Sequence, residues 1–209
     1  MAEHGNAFSR AYSTLHSDLR DGRFAPGARL AAADVLARLG ISATPVREAL
    51  SRLAGQGLLI DRPAIGYFVP VVDPVELKDL YGLAMILAHA AMDDLDHAAI
   101  RAWAGAHHQS QHRTAGELVR TVASLSSNAA LQSVATNVDD RLARLSAIDA
   151  HMFAATDREQ GDLEDWLATR QRRTEKLSVS QFYRRRIKSV LDIASHAARS
   201  LGGPDNIIS

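Results

Sequence analysis

The stretch Ser42-Ala43-Thr44-Pro45-Val46-Arg47-Glu48-Ala49-Leu50-Ser51-Arg52-Leu53-Ala54-Gly55-Gln56-Gly57-Leu58-Leu59 constrains this chain more than any other. Thr44 reads as a helix N-cap, since its hydroxyl can accept from an unpaired backbone N–H. Pro45 then takes the first helical position, where a missing N–H costs nothing. Val46, Leu50 and Leu53 recur at spacings of four and three and build one apolar stripe. Gly57 closes the helix in the left-handed conformation that helix ends need. Arg47 and Ser51 lie off the stripe, four apart and toward the N-terminal end. An apolar back with a forked donor near the start is what a helix needs to read guanine edges in a major groove. A plain amphipathic surface helix has the same outline, so the flanks decide.

Upstream, Ala7–Leu19 has helical spacing through Ala11, Leu15 and Leu19, stops at Asp21-Gly22, and is followed by a turn at Ala25-Pro26-Gly27. Ala32–Leu39 is a second short helix ending at Gly40. Two helices joined by a tight glycine-containing turn make a helix-turn-helix. Downstream, Leu58-Leu59-Ile60 and Tyr67-Phe68-Val69 are short apolar runs around Asp61-Arg62-Pro63-Ala64-Ile65-Gly66, which predicts a β-hairpin wing with an exposed tip.

Gly22-Arg23-Phe24-Ala25-Pro26-Gly27-Ala28-Arg29-Leu30, Leu39-Gly40-Ile41-Ser42, Thr44-Pro45-Val46-Arg47-Glu48-Ala49-Leu50, Gly57-Leu58-Leu59 and Gly66-Tyr67-Phe68-Val69 occur in that order. Over roughly residues 8–70 they resemble the winged-helix domain of GntR-family transcriptional regulators, in the FadR-like branch with an all-helical C-terminal domain of the FCD type. The resemblance implies double-stranded DNA as partner, with Thr44, Arg47 and the wing glycine Gly66 at the contact. From their positions, Arg47 is the first candidate for a base edge. Ser42 and Ser51 flank it, Arg52 faces backbone phosphate or pairs with Glu48, and Arg62 and Gly66 approach the minor groove or the backbone. Relatives commonly carry arginine just before Thr-Pro, where this chain has Ala43. One contact is therefore absent.

The halves are nearly balanced in charge. The chain is formally neutral, and residues 1–70 carry eight arginines against six acids. So small an excess gives one copy a modest hold on phosphate, which points to two copies acting on a pseudo-palindromic operator. There is no cysteine, so disulfides and thiolate metal sites are excluded. No stretch reaches 18 uninterrupted apolar residues, the start lacks a signal-peptide pattern, and a cytoplasmic location is expected.

The expected domains are residues 1–70 as the winged helix-turn-helix, with three helices and the hairpin, 71–75 as linker, and 76–209 as an all-α antiparallel helical bundle that dimerises. Asp73-Pro74 would cap the first bundle helix, Val75–Met92. Glu117–Leu125, Ala129–Leu145, a helix from Gly161-Asp162 to Leu177, and Ser180–Leu201 follow, with Arg184-Arg185-Arg186 at one side of the last. The fold class is mainly α.

In the FCD resemblance the bundle holds a small organic acid, often through a metal bound by one aspartate and three histidines. Here those positions fall on Ala115, Val119, His151 and near Arg173, and the relatives' first-helix arginine and glutamate fall near Ala84 and Ala88. One imidazole cannot hold a metal in a four-ligand site, so no cofactor is expected. His151 is then a polar core or pocket residue or an effector contact. Arg173 either anchors an effector carboxylate or is a surface arginine beside Arg170 and Arg172. His107, His108 and His112 share a polar segment that reads as a solvated loop. Enzyme chemistry finds no support: Asp149 and His151 sit two apart on different helix faces, and there is no phosphate loop, nucleophile elbow or metal triad. The reading is a transcriptional regulator, a repressor, under a small-molecule effector. The alternative is a regulator whose vestigial bundle binds no ligand and works through dimerisation or a protein partner.

Overall fold

The computed structural model describes residues 2–95, 114–153 and 172–200, and the chain parts into two compact units, Met1–Val72 with Ala197–Ser209, and Asp73–His196. In the first unit α1 spans Ala2–Arg20, α2 Ala32–Leu39 and α3 Ala43–Gly55. β1 (Arg29–Leu30), β2 (Ile60–Arg62) and β3 (Gly66–Phe68) form an antiparallel sheet in the order β1-β3-β2. The expected hairpin is therefore part of a three-stranded sheet, and β1 is an addition to it. Two residues are too few to show alternation, which is why periodicity passes over β1.

The expected apolar stripes form the core. Ala11, Leu15, Val46, Ala49, Leu50 and Leu53 are fully buried where α1 packs on α3, with Leu19, Leu30, Val35, Leu58 and Val69 around them. Gly57 (φ 75°) ends α3 through two bonds, Leu58 N–H to Leu53 C=O at 3.0 Å and Gly57 N–H to Ala54 C=O at 2.9 Å. Few side chains tolerate that left-handed backbone, so the stop is set by Gly57 itself. The start of α3 differs from expectation. Ser42 is the N-cap residue and makes no side-chain cap bond, while Thr44 lies inside the first turn. Pro45 is tolerated there because first-turn N–H groups have no intrahelical acceptor.

The hairpin tip is a tight turn. Ile65 N–H donates to Arg62 C=O at 2.9 Å across Pro63 and Ala64, and Ala64 has φ 63°. Proline followed by a positive-φ residue is the type II pattern.

The chain beyond the sheet is helical: α4 (Pro74–Asp93), α5 (Ala115–Ser124), α6 (Ala129–Leu142) continuing into a 3-10 turn at Ala143–Leu145, α7 (Ser146–Phe153), α8 (Arg172–Lys188) and α9 (Val190–Ser200), with the second unit ending at His196 inside α9. Asp73 caps α4 by accepting from Val75 N–H at 2.9 Å, with Pro74 in the first turn, as the sequence predicts. Thr114 and Glu117 form a reciprocal capping box on α5, and Asn128 caps α6. Two boundaries are corrected. The expected interruption between Leu177 and Ser180 is continuous helix within α8, and the break falls at Ser189. The expected Ala129–Leu145 helix gives way to the 3-10 turn after Leu142. The start at Gly161-Asp162, the end at Leu201 and the segment with His107, His108 and His112 lie outside the described residues.

α5 meets α6 closely at Gly116. A Cβ there would stand 2.6 Å from Asp139 Oδ1 and 3.0 Å from Asp139 Cα. Asp139 is buried and held by Arg120 Nε at 2.9 Å, so it has little room to move. Gly116→Ala is therefore expected to lower stability by about 1–3 kcal/mol through overpacking. Urea unfolding measures this, and an unchanged midpoint would show that the two helices can separate freely.

Candidate nucleic-acid interface

The exposed side of α3 carries Ser42, Thr44, Arg47, Glu48, Ser51 and Arg52, while Pro45, Val46, Ala49, Leu50 and Leu53 face the core. This follows from helical spacing: the buried set repeats at three and four, and the polar set fills the other side. Five of the seven candidate contacts thus share one solvent-facing surface. Arg47 projects from it and, among the described residues, has no ion-pair partner in the chain.

Arg52 is seated on an aromatic ring, its guanidinium lying 5.1 Å above the centre of the Tyr12 ring. Tyr12 is fixed in turn, its hydroxyl donating to Gln56 Oε1 at 2.9 Å and its ring stacking between Phe8 and His16. A cation seated on a ring keeps its N–H groups free for another acceptor.

The other two candidates, Arg62 and Gly66, are directly opposed across β2 and β3. Arg62 is exposed and its guanidinium lies 4.7 Å over the Phe68 ring. Gly66 has φ 128°, a backbone that side chains rarely adopt. β2 also touches α3, so wing and helix belong to one packed body.

The positions considered for an effector are not brought together. Ala115 and Val119 are buried on α5. His151 is exposed on α7, its ring tilted against His196 with centroids 6.4 Å apart, so it is not the core residue that the sequence favours. The backbone of Arg173 lies in α8, and its side chain is outside the described residues.

The interior of the bundle holds instead a pair that sequence reasoning missed. Arg186 Nε donates to Asp149 Oδ2 at 2.8 Å and Nη2 to Asp149 Oδ1 at 2.9 Å, with both side chains almost wholly buried. Arg186 also donates to Phe182 C=O at 3.3 Å, and its guanidinium lies 3.5 Å from the Phe182 ring centre and 4.4 Å from that of Phe153. Tyr183, buried alongside, donates to Ala115 C=O at 2.8 Å. Burial pushes the phenols of Tyr81 and Tyr183 well above their ordinary pKa, so both stay neutral. Among the described residues no three histidines or carboxylates converge as metal ligands, and no helix is long and apolar enough to cross a membrane.

Comparison with known proteins bears on the first unit most directly. Residues 8–69 match the model of the bacterial regulatory proteins of the gntR family. An HTH-type transcriptional regulator of Agrobacterium vitis, from the TAR-I ttuE-ttuC' intergenic region, is 32% identical over 42% of this chain and 51% of its own length. The Nta operon transcriptional regulator of Aminobacter aminovorans is 29% identical over 57% of this chain and 63% of its own. The aligned stretch thus spans less than two thirds of either relative. Among solved structures, a GntR transcriptional regulator from Rhodococcus sp. RHA1 superposes with a TM-score of 0.72 at 21% identity, covering 88% of this chain and 97% of that one. That likeness covers both units and is one of fold.

Proposed function

We propose that this chain, whose residues 8–69 match the model of the gntR family of bacterial regulatory proteins, is a homodimeric, sequence-specific repressor that reads a pseudo-palindromic duplex. The observation that carries this is the outer face of α3, where Arg47 stands exposed and unpaired in the first two turns of a helix whose back is the domain's core. A bidentate donor there suits guanine O6 and N7. Ser42 leaves the first-turn amides without a side-chain cap, and uncapped N–H groups at a helix start favour a phosphate. Thr44, Ser51 and Arg52 then lie where phosphates flank the groove, and Arg62 and Gly66 extend the contact through the wing.

Arg47→Ala is expected to weaken binding to a duplex selected from a random library by about 1–3 kcal/mol and to relax preference at one base position. The measurement is fluorescence anisotropy on the selected duplex and its single-base variants. Unchanged affinity and preference would remove Arg47 from the base-reading role.

For the second unit, an organic-acid effector is one reading, with His151, which is exposed, and with Arg173 as its contacts. The Asp149–Arg186 pair favours the other, a bundle that binds no ligand and acts through dimerisation or a protein partner. A guanidinium whose donors are spent on an internal carboxylate is not available to a ligand carboxylate.

A further inference from the structure

We propose that Arg29, on β1, is a DNA contact that works jointly with Arg62, the two guanidinium groups holding a single backbone phosphate against the outer face of the sheet. The proposal rests on the DNA-binding reading above and adds to it a residue from outside both the recognition helix and the wing.

The argument starts from register. Arg29 is opposite Phe68, Phe68 is also opposite Ile60, and Arg62 is opposite Gly66. Directly paired residues, and residues two apart on one strand, point to the same side of a sheet. Arg29, Ile60, Arg62, Gly66 and Phe68 therefore share a face, while Leu30 turns to the core on the other. Arg29, Ile60 and Arg62 are exposed, and the five residues include no carboxylate. Among the described residues neither arginine has an ion-pair partner in the chain.

The two side chains cross over β3. Arg62 starts beside Gly66 and lays its head over the Phe68 ring, 4.7 Å from its centre. Arg29 starts beside Phe68 and lays its head over Gly66. A Cβ on Gly66 would meet Arg29 Nε at 3.3 Å and Nη2 at 3.7 Å. The heads thus stand above alternate residues of one strand, whose backbone positions are roughly 7 Å apart. That gap admits one phosphate, with guanidinium donors from each side and an aromatic floor. The fork geometry of arginine is made for such an oxyanion. Gly66 gains a reason beyond its backbone angle, since any side chain there would displace Arg29.

The test uses the full chain and a fluorescein-labelled duplex of about 30 base pairs of arbitrary sequence, titrated by anisotropy at roughly 50 to 200 mM salt. Arg29→Gln, Arg62→Gln, the double variant and Arg184→Gln are compared, with thermal melts to show that each is folded. Each of the first two is expected to weaken binding about tenfold. The double variant should fall well short of a hundredfold, with the slope of log affinity against log salt reduced by about 0.9, one phosphate's share. Arg184→Gln should match the wild type. Arg29→Gln indistinguishable from wild type, while Arg62→Gln weakens binding, would overturn the inference and leave the DNA reading intact. A double variant that multiplies both losses and lowers the slope by about 1.8 would overturn the shared phosphate. A wild-type chain that binds no duplex at any salt would overturn the DNA reading, and this inference with it.

Discussion

Arg186→Ala is expected to cost about 3–5 kcal/mol of stability, more than any other single side-chain loss considered for this chain. The reason is what stays behind. Asp149 is 3% exposed and takes two N–H donors from Arg186, so removing the guanidinium leaves a carboxylate with its water already stripped away. In a chain of this size the melting temperature should fall on the order of 10 °C. Replacing both partners, Asp149→Leu with Arg186→Met, should return most of that loss, because the uncompensated charge is gone and apolar side chains of similar volume fill the space. Thermal unfolding followed by circular dichroism tests both. A single variant within about 1 kcal/mol of wild type would mean that water reaches Asp149, contrary to the burial described.

Leu50→Ala is the second large effect, expected at about 2–5 kcal/mol. Leu50 is fully buried on the core side of α3, in the cluster that also holds Ala11 and Leu15 of α1. Its loss opens a cavity under the helix that carries Arg47. Urea unfolding should show the destabilisation, and duplex binding should weaken as well, since part of the binding energy is then spent on ordering α3. Arg47→Ala makes the contrast, weakening binding with stability nearly unchanged, because its side chain is exposed and unpartnered. If Leu50→Ala lost less than about 1 kcal/mol, the surrounding side chains would have to close the cavity, and the tight packing of α1 on α3 would be wrong.

The first unit was legible because its signals are local. Gly57, Gly40 and Asp21-Gly22 mark helix ends within a few residues of the stripes they terminate. The Thr44 cap was misplaced because Ser42 and Thr44 are both capping residue types two apart, and Pro45 fits either frame in the first turn. β1 was missed because a two-residue strand exists only through its pairing with Tyr67 and Phe68, far along the chain. The same limit hid Arg29 and Tyr12, whose roles depend on Gly66 and Arg52. In the second unit the balance reverses. Thr114, Asn128 and Asp73 are readable caps, but Arg186 sits in a run of three arginines and looks like surface. Its partner is 37 residues away. Ser180, a residue type that favours caps, lies inside α8, with its hydroxyl 3.1 Å from His89 Nε2.

The order β1-β3-β2 has one more consequence. An open three-stranded sheet has two free borders, each a row of backbone groups on which a second chain could add a strand. Here both are blunted. β1 is only two residues long, too short to template a partner, and β2 presents Asp61 and Arg62 before stopping at Pro63, which has no N–H to offer. The sheet can therefore stay exposed at high local concentration without becoming a seed for strand exchange or fibrils.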